Sequence, residues 1–266
     1  MMTSGLTDVD ILNFALNLEY VEAEYYLRGF RGRGLPGRLT TGVGQRGQVT
    51  GGSRVPFEDG LVQEYAREIA RDELDHVKFL RSALGEDAVA RPTIDFETAF
   101  TAAAQAAGLI APDQTFDPFA SVDGFLLGAF LFEDVGVTAY KGAARFIQNK
   151  DFLEAAAGIL AVEAYHASNV RTVLLARGLE VPANAISDAR DSLDGPEDLD
   201  QGITMQSTET REEMAAGGPA NIVPADGNAI AFSRTPTQVL NIVYLTPAEN
   251  PMPGGFFPDG LNGTLR

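Results

Sequence analysis

Both histidines of the chain stand in the same four-residue arrangement, Glu73-Leu-Asp-His76 and Glu163-Ala-Tyr-His166. A glutamate three residues before a histidine lies on the same helix face, so each motif can offer one carboxylate and one imidazole to a single point. With two histidines among 266 residues, any imidazole-dependent site must use one or both of them. The repetition therefore ties two distant helices to one task. A four-helix bundle that holds two metal ions in its core needs this motif on two helices and one further glutamate from each of the other two.

Hydrophobic periodicity supplies four long helices. The first spans about Asp8–Leu27, with Leu12, Ala15, Leu16, Glu19, Ala23 and Tyr26 recurring at three- and four-residue steps. The second runs from about Phe57 to Leu84, before Gly85. The third runs from Ser121, an N-cap residue, to about Gln148, and the fourth from Asp151 to Arg177. Between the first two lies Gly29–Ser53, with nine glycines, which reads as loop. Residues 85–120 form a crossover with a short Ala-rich helix near Glu97–Ala107. One long crossover between two helical hairpins predicts an all-α four-helix bundle over residues 1–180. Residues 181–266 read as an irregular C-terminal extension, with a short helix near 236–245 opened by Thr235 and Pro236, packed on the bundle or on a neighbouring subunit.

The other two helices each carry a glutamate in apolar surroundings. Glu19 lies on the Leu12/Ala15/Leu16/Ala23 face, and Glu133 interrupts the most hydrophobic run, Phe125–Val137. A buried, unpaired carboxylate costs several kcal/mol, so such residues pair with a base or bind a metal. Neither Lys nor Arg lies within a helical turn of Glu133. Tyr26 follows Glu19 by seven residues and Tyr140 follows Glu133 by seven, so the chain reads Glu-x6-Tyr then Glu-x-x-His, twice. Glu19 and Glu73 are 54 residues apart and Glu133 and Glu163 are 30 apart; treating the Gly-rich loop as an insertion brings the two halves into register.

The stretches Asp8-Val-Asp-Ile-Leu-Asn-Phe-Ala-Leu-Asn-Leu-Glu19-Tyr, Asp72-Glu73-Leu-Asp-His76-Val-Lys-Phe-Leu and Phe232-Ser-Arg-Thr-Pro-Thr-Gln-Val-Leu-Asn-Ile-Val-Tyr244 carry a resemblance. The chain resembles the ferritin-like superfamily of dinuclear metal carboxylate proteins and, more narrowly, its desiccation-related family. The resemblance implies a ferritin-like bundle with Glu19, Glu73, His76, Glu133, Glu163 and His166 as ligands. It makes Glu73 and Glu163 the bridging carboxylates, and Tyr26 and Tyr140 hydrogen-bond partners that hold ligand carboxylates. Glu22, one turn from Glu19, is either a rival for its role or a surface residue; Glu24 points elsewhere, and Asp134 is turned about 100° from Glu133.

Four carboxylates and two imidazoles, with no cysteine in the chain, suit two ions of iron or manganese, with zinc also possible. Two adjacent redox metals fit chemistry on peroxide or O2, ferroxidase-like, peroxidase-like or manganese-catalase-like, in oxidative or desiccation stress. The reading from another class is a non-catalytic metal-binding or structural protein of desiccation protection. A net charge of −17 argues against nucleic acid and anionic lipid as partners. The apolar run Phe125–Phe132 is too short for a membrane span. A small-molecule substrate and a homo-oligomer are the expected partners. Met1–Asp10 shows no secretory signal, so a cytoplasmic location is expected, with export left open.

Two further features have plain readings. Arg31, Arg33, Arg38 and Arg46 make the Gly-rich loop basic, but it lacks the Lys-Ser/Thr ending of a phosphate-binding loop, which leaves salt-bridging or capping of the bundle end. Asp188, Asp191, Asp194, Glu197, Asp198 and Asp200, with Pro182 and Pro196, read as a solvated acidic linker.

Overall fold

The computed structural model describes residues 5–58, 60–205 and 218–266. Its first helix, α1 (Asp8–Arg31), opens on a capping box in which the Thr7 hydroxyl accepts from the Asp10 amide and the Asp10 carboxylate accepts from the Thr7 amide. It closes at Gly32, whose φ of 72° is a left-handed conformation that costs glycine nothing. The helix thus outruns the expected end at Leu27 by a turn and takes in the start of the Gly-rich segment.

Three more long helices complete the bundle: α2 (Gly60–Leu84), α4 (Val122–Ala144) and α5 (Lys150–Ala176), while α3 (Glu97–Ala106) lies in the crossover. Ser121 and Asn149 cap α4 and α5 by accepting from amides of the first turn, a contribution of about 1 kcal/mol each. The α1–α2 and α4–α5 pairs make the main helix contacts. Phe125, Phe130 and Phe132 of α4 are buried in the core, as expected, and burying each stabilises the fold by about 1.5–3 kcal/mol. Among the described residues no helix is long and apolar enough to cross a membrane.

Almost every α1 residue from Ile11 to Leu27 is buried, more than one amphipathic stripe requires. The Gly-rich loop and the crossover cover the side that would otherwise face solvent. β1 (Val49–Thr50) pairs in parallel with β2 (Ile94–Asp95), Asn13 donates to the Asp87 carbonyl, and Tyr20 donates to that of Val89. The loop is therefore built into the fold. Its Arg31 donates to the carbonyls of Arg33 and Gly34 rather than to an acidic neighbour.

The C-terminal extension departs from expectation. The stretch read as an acidic linker is, as far as Asp194, a helix, α6 (Glu180–Asp194), while Asp188, Glu197 and Asp198 are exposed, as expected. Pro182 does not prevent it, because a proline in the first turn removes no intrahelical hydrogen bond. Asp194 and Asp200 are buried, paired with arginines rather than solvated. Arg234 binds Asp194 at 2.6 Å and Asp200 at 2.8 Å, and Arg190 binds Asp200 at 2.7 Å and Asp134 of α4 at 2.9 Å. Arg171 of α5 closes the network on Asp134 at 2.7 Å. Three buried arginines thus meet three buried aspartates, leaving no net charge in the network.

Beyond the network, α7 (Pro236–Val243) carries a Thr235/Gln238 capping box and packs on α6 and α4. The chain crosses α4 so closely at Gly142 that a Cβ there would stand 2.0 Å from the Arg234 carbonyl oxygen. Phe256 packs on Phe100 and Phe132, and Asn17 donates to the Asn262 carbonyl, which ties the chain end to α1. The extension packs on the bundle. Residues 206–217, part of the segment expected to be irregular, lie outside the described residues.

Candidate metal centre

Glu19 on α1, Glu73 and His76 on α2, Glu133 on α4, and Glu163 and His166 on α5 converge in the middle of the bundle, all six buried. Their donor atoms form two overlapping groups. In one, Glu19, Glu73, His76 and Glu163 each offer an atom within 4.8 Å of the others; in the second, Glu73, Glu133 and His166 do so. His76 Nδ1 lies 3.2 Å from Glu19 Oε2, 3.2 Å from Glu163 Oε1 and 3.6 Å from Glu73 Oε2. His166 Nδ1 lies 3.1 Å from Glu73 Oε1 and 3.8 Å from both Glu133 Oε2 and Glu163 Oε2. Glu73 and Glu163 therefore each turn one oxygen toward either histidine, the posture of a bridging carboxylate.

Eight of these donor atoms are buried without a hydrogen-bond partner: Glu19 Oε2, both oxygens of Glu73 and of Glu163, Glu133 Oε2, and Nδ1 of each histidine. Leaving so many polar atoms unsatisfied in the interior would cost several kcal/mol, and a cation among them removes that cost. The donor set fits metal ions. It is all oxygen and imidazole nitrogen, the ligand chemistry of iron, manganese or zinc.

The remaining carboxylate oxygens are held. Tyr26 of α1 donates to Glu133 Oε1 and Tyr140 of α4 donates to Glu19 Oε1, so each half of the chain steadies the other half's glutamate. Asp72 adds a support that the motif reading missed: its Oδ2 lies 3.4 Å from His166 Nε2, on the ring edge away from the cluster. The available signal was an aspartate directly before Glu73; the matching position before Glu163 is Val162, so the support is one-sided.

Glu22 is not a surface residue. It is buried at 4% exposure, beside the cluster. Glu24 is turned away into ion pairs with Arg28, at 3.0 Å, and with Arg91. Asp134 belongs to the arginine network.

Electrostatics set which of these groups hold protons. Burial, then the Glu73 and Glu163 charges, pushes the Glu19 carboxyl up to about 8 against the pull of His76. Burial and the neighbouring carboxylates push Glu22 well above the ordinary range, and Glu133 rises likewise on burial, against the pull of His166. Glu73 goes the other way: burial opposes its ionisation, but the His166 and His76 imidazoles facing its oxygens hold it down to about 2. Both imidazoles are raised by the carboxylates around them despite burial. Without metal the cluster thus keeps protons that metal ions must displace.

Comparison with known proteins identifies the bundle. A family profile described as the ferritin-like domain matches residues 7–176, from the start of α1 to the end of α5. The chain is 27% identical to the ferritin-like catalase Nec2 of Nesocodon mauritianus, over all of this chain and 87% of that protein. It is 28% identical to the desiccation-related protein PCC13-62 of Craterostigma plantagineum, over 97% of this chain and 83% of that protein. A four-helix bundle with this carboxylate and histidine cluster, matched along its whole bundle by the family profile, belongs to the ferritin-like family.

Proposed function

We propose that the chain binds two iron or manganese ions through Glu19, Glu73, His76, Glu133, Glu163 and His166, and uses the pair to disproportionate hydrogen peroxide. The reading is carried by the eight buried, unpartnered donor atoms that fall into two groups sharing Glu73. Likeness to a protein named as a ferritin-like catalase supports peroxide as the substrate. When bound, two adjacent redox ions supply the exchange of two electrons with peroxide. Over a cycle, two molecules of peroxide yield two of water and one of O2.

This chain's residues set the conditions for that exchange. Glu73 and Glu163, each with one oxygen toward either histidine, would hold both ions. Tyr26 and Tyr140 fix one oxygen of Glu133 and of Glu19, which leaves the other oxygen facing inward. Asp72 accepts from the Nε2 hydrogen of His166, and the Nδ1 lone pair then faces the centre. Four carboxylates balance two divalent charges, which makes the loaded interior neutral and tolerable without water.

The test is elemental analysis of protein produced with both iron and manganese available, followed by an oxygen electrode with added peroxide. Two manganese ions per chain with O2 release support the catalase-like reading. Two irons with O2 consumption move the activity to ferroxidase-like chemistry. Absence of transition metal after anaerobic reconstitution overturns the dinuclear reading. A structural role in desiccation protection is the second reading, favoured by a centre that draws on all four bundle helices and by likeness to a protein named as desiccation-related. It expects two bound ions with no turnover of peroxide or O2.

A further inference from the structure

The two halves of the bundle match at Glu19 and Glu133 and again at Tyr26 and Tyr140, but not one turn past each glutamate. There α1 carries Glu22 and α4 carries Gly136. The mismatch is a fit. A Cβ built on Gly136 would stand 3.2 Å from Glu22 Oε1 and 3.5 Å from Glu163 Oε2. The missing side chain on α4 thus leaves the space in which the Glu22 carboxylate lies beside Glu163. Glu22 as a residue is 4% exposed, and among the described residues its carboxylate makes no hydrogen bond or ion pair. Its surroundings are the ligand glutamates: Glu163, Glu73, Glu19 and Glu133 all act on its charge.

A fifth buried carboxylate beside four others is strongly unfavourable in its charged form unless cations stand among them. The six expected ligands already neutralise two divalent ions, so Glu22 is surplus to the reduced pair. It is not surplus once the pair has been oxidised. Each ion that gives one electron to peroxide gains a positive charge, and the two electrons with two protons turn one peroxide into two waters. The oxidised centre then carries two charges more than its four ligand carboxylates balance.

Resting on the dinuclear reading above, we propose that Glu22 is a fifth carboxylate of the centre, admitted by Gly136, that stabilises the oxidised metal pair. Its charge lies on one side only, beside Glu163. The centre is therefore electrostatically unequal although its ligands are paired by the repeat.

The experiment compares wild type, Glu22→Gln and Gly136→Ala, each loaded anaerobically with manganese or iron, by metal content and by redox titration followed spectroscopically. Glutamine keeps the shape of Glu22 and removes its charge, so two ions per chain are expected to remain in the divalent state. The titration midpoint should move positive by at least the equivalent of a tenfold change in the oxidised-to-reduced ratio, about 30 mV for a two-electron couple. Gly136→Ala, which crowds Glu22 without touching its charge, should move the midpoint in the same direction by less. A Glu22→Gln protein with two ions and an unshifted midpoint overturns the proposal and leaves the dinuclear reading standing. A wild-type protein that holds no transition metal overturns both.

Discussion

Tyr140 donates its hydroxyl hydrogen to Glu19, on the facing helix α1, and not to Glu133, two turns before it on its own helix. Tyr26 makes the reciprocal bond to Glu133. Crossing the bundle in this way couples the orientation of each carboxylate to the packing of α1 on α4. Tyr26→Phe and Tyr140→Phe should keep the fold, because the rings stay. Each should weaken metal binding by roughly 10–100-fold, as the loss of a hydrogen bond that orients a ligand does elsewhere. Competition with a metallochromic chelator reads this directly; affinity unchanged in both variants would show that the tyrosines only fill space.

Replacing Glu133 by Ala separates the two functional readings. In a catalyst the change should abolish turnover while the melting temperature of the metal-free protein stays close to wild type. A centre that serves only to fasten the bundle should instead show its loss in the thermal stability of the loaded protein. A variant that keeps its metal and its activity would remove Glu133 from the ligand set.

Arg234 joins Asp194 and Asp200, with all three side chains buried. Arg234→Leu leaves both aspartates short of a partner and should destabilise the fold by about 3–5 kcal/mol, the usual cost of breaking a buried pair from one side. Chemical denaturation measures it, and limited proteolysis should cut the variant first between α6 and α7. A loss below about 1 kcal/mol would mean that the network relaxes around the gap.

The metal-free protein should lose stability as pH rises from about 5 to 8. Glu19 titrates at about 8 in the folded chain against an ordinary 4.5, and Glu22 and Glu133 are raised as well. Between these values the folded state holds more protons than the unfolded one, so the slope of stability with pH is negative. The raised histidines add to it above their ordinary 6.5. Glu73 acts oppositely: its contribution is present above 4.5 and is lost as pH falls toward 2. Calorimetry in chelator at pH 5 and pH 8 tests the sign, and a higher midpoint at pH 8 would contradict it. Because the protons leave when metal enters, affinity for metal should rise over the same window.

The bundle was readable because its signals are local: apolar spacing, caps and acid–imidazole pairs all act within a turn or two of helix. Helix α6 was not. Its buried face is Ala183, Ile186, Ser187, Arg190 and Asp194, correct in helical spacing but half polar. Those polar residues are buried only because Asp134, Asp200 and Arg234 answer them from elsewhere in the chain, and hydrophobic periodicity has no view of such partners. Asp72 and Glu22 were hidden for a related reason. An acid near a helix surface and an acid turned into a metal centre are alike in sequence, and only the packing of α2 on α5 and the gap at Gly136 tell them apart.

The buried arginine network also has an order in time. Chains emerge from the ribosome N-terminus first, and helical units can fold as they appear. Every residue of the metal cluster precedes Ala176, whereas Arg190, Asp194, Asp200 and Arg234 come after it. For the interval in which those last residues are still being made, Asp134 and Arg171 have only each other from the network, and the outer flank of α4 is bare. The extension is then laid over a bundle whose donor atoms are already together. In that order the extension would work as a late clamp, closing over a cluster whose residues were all made before it.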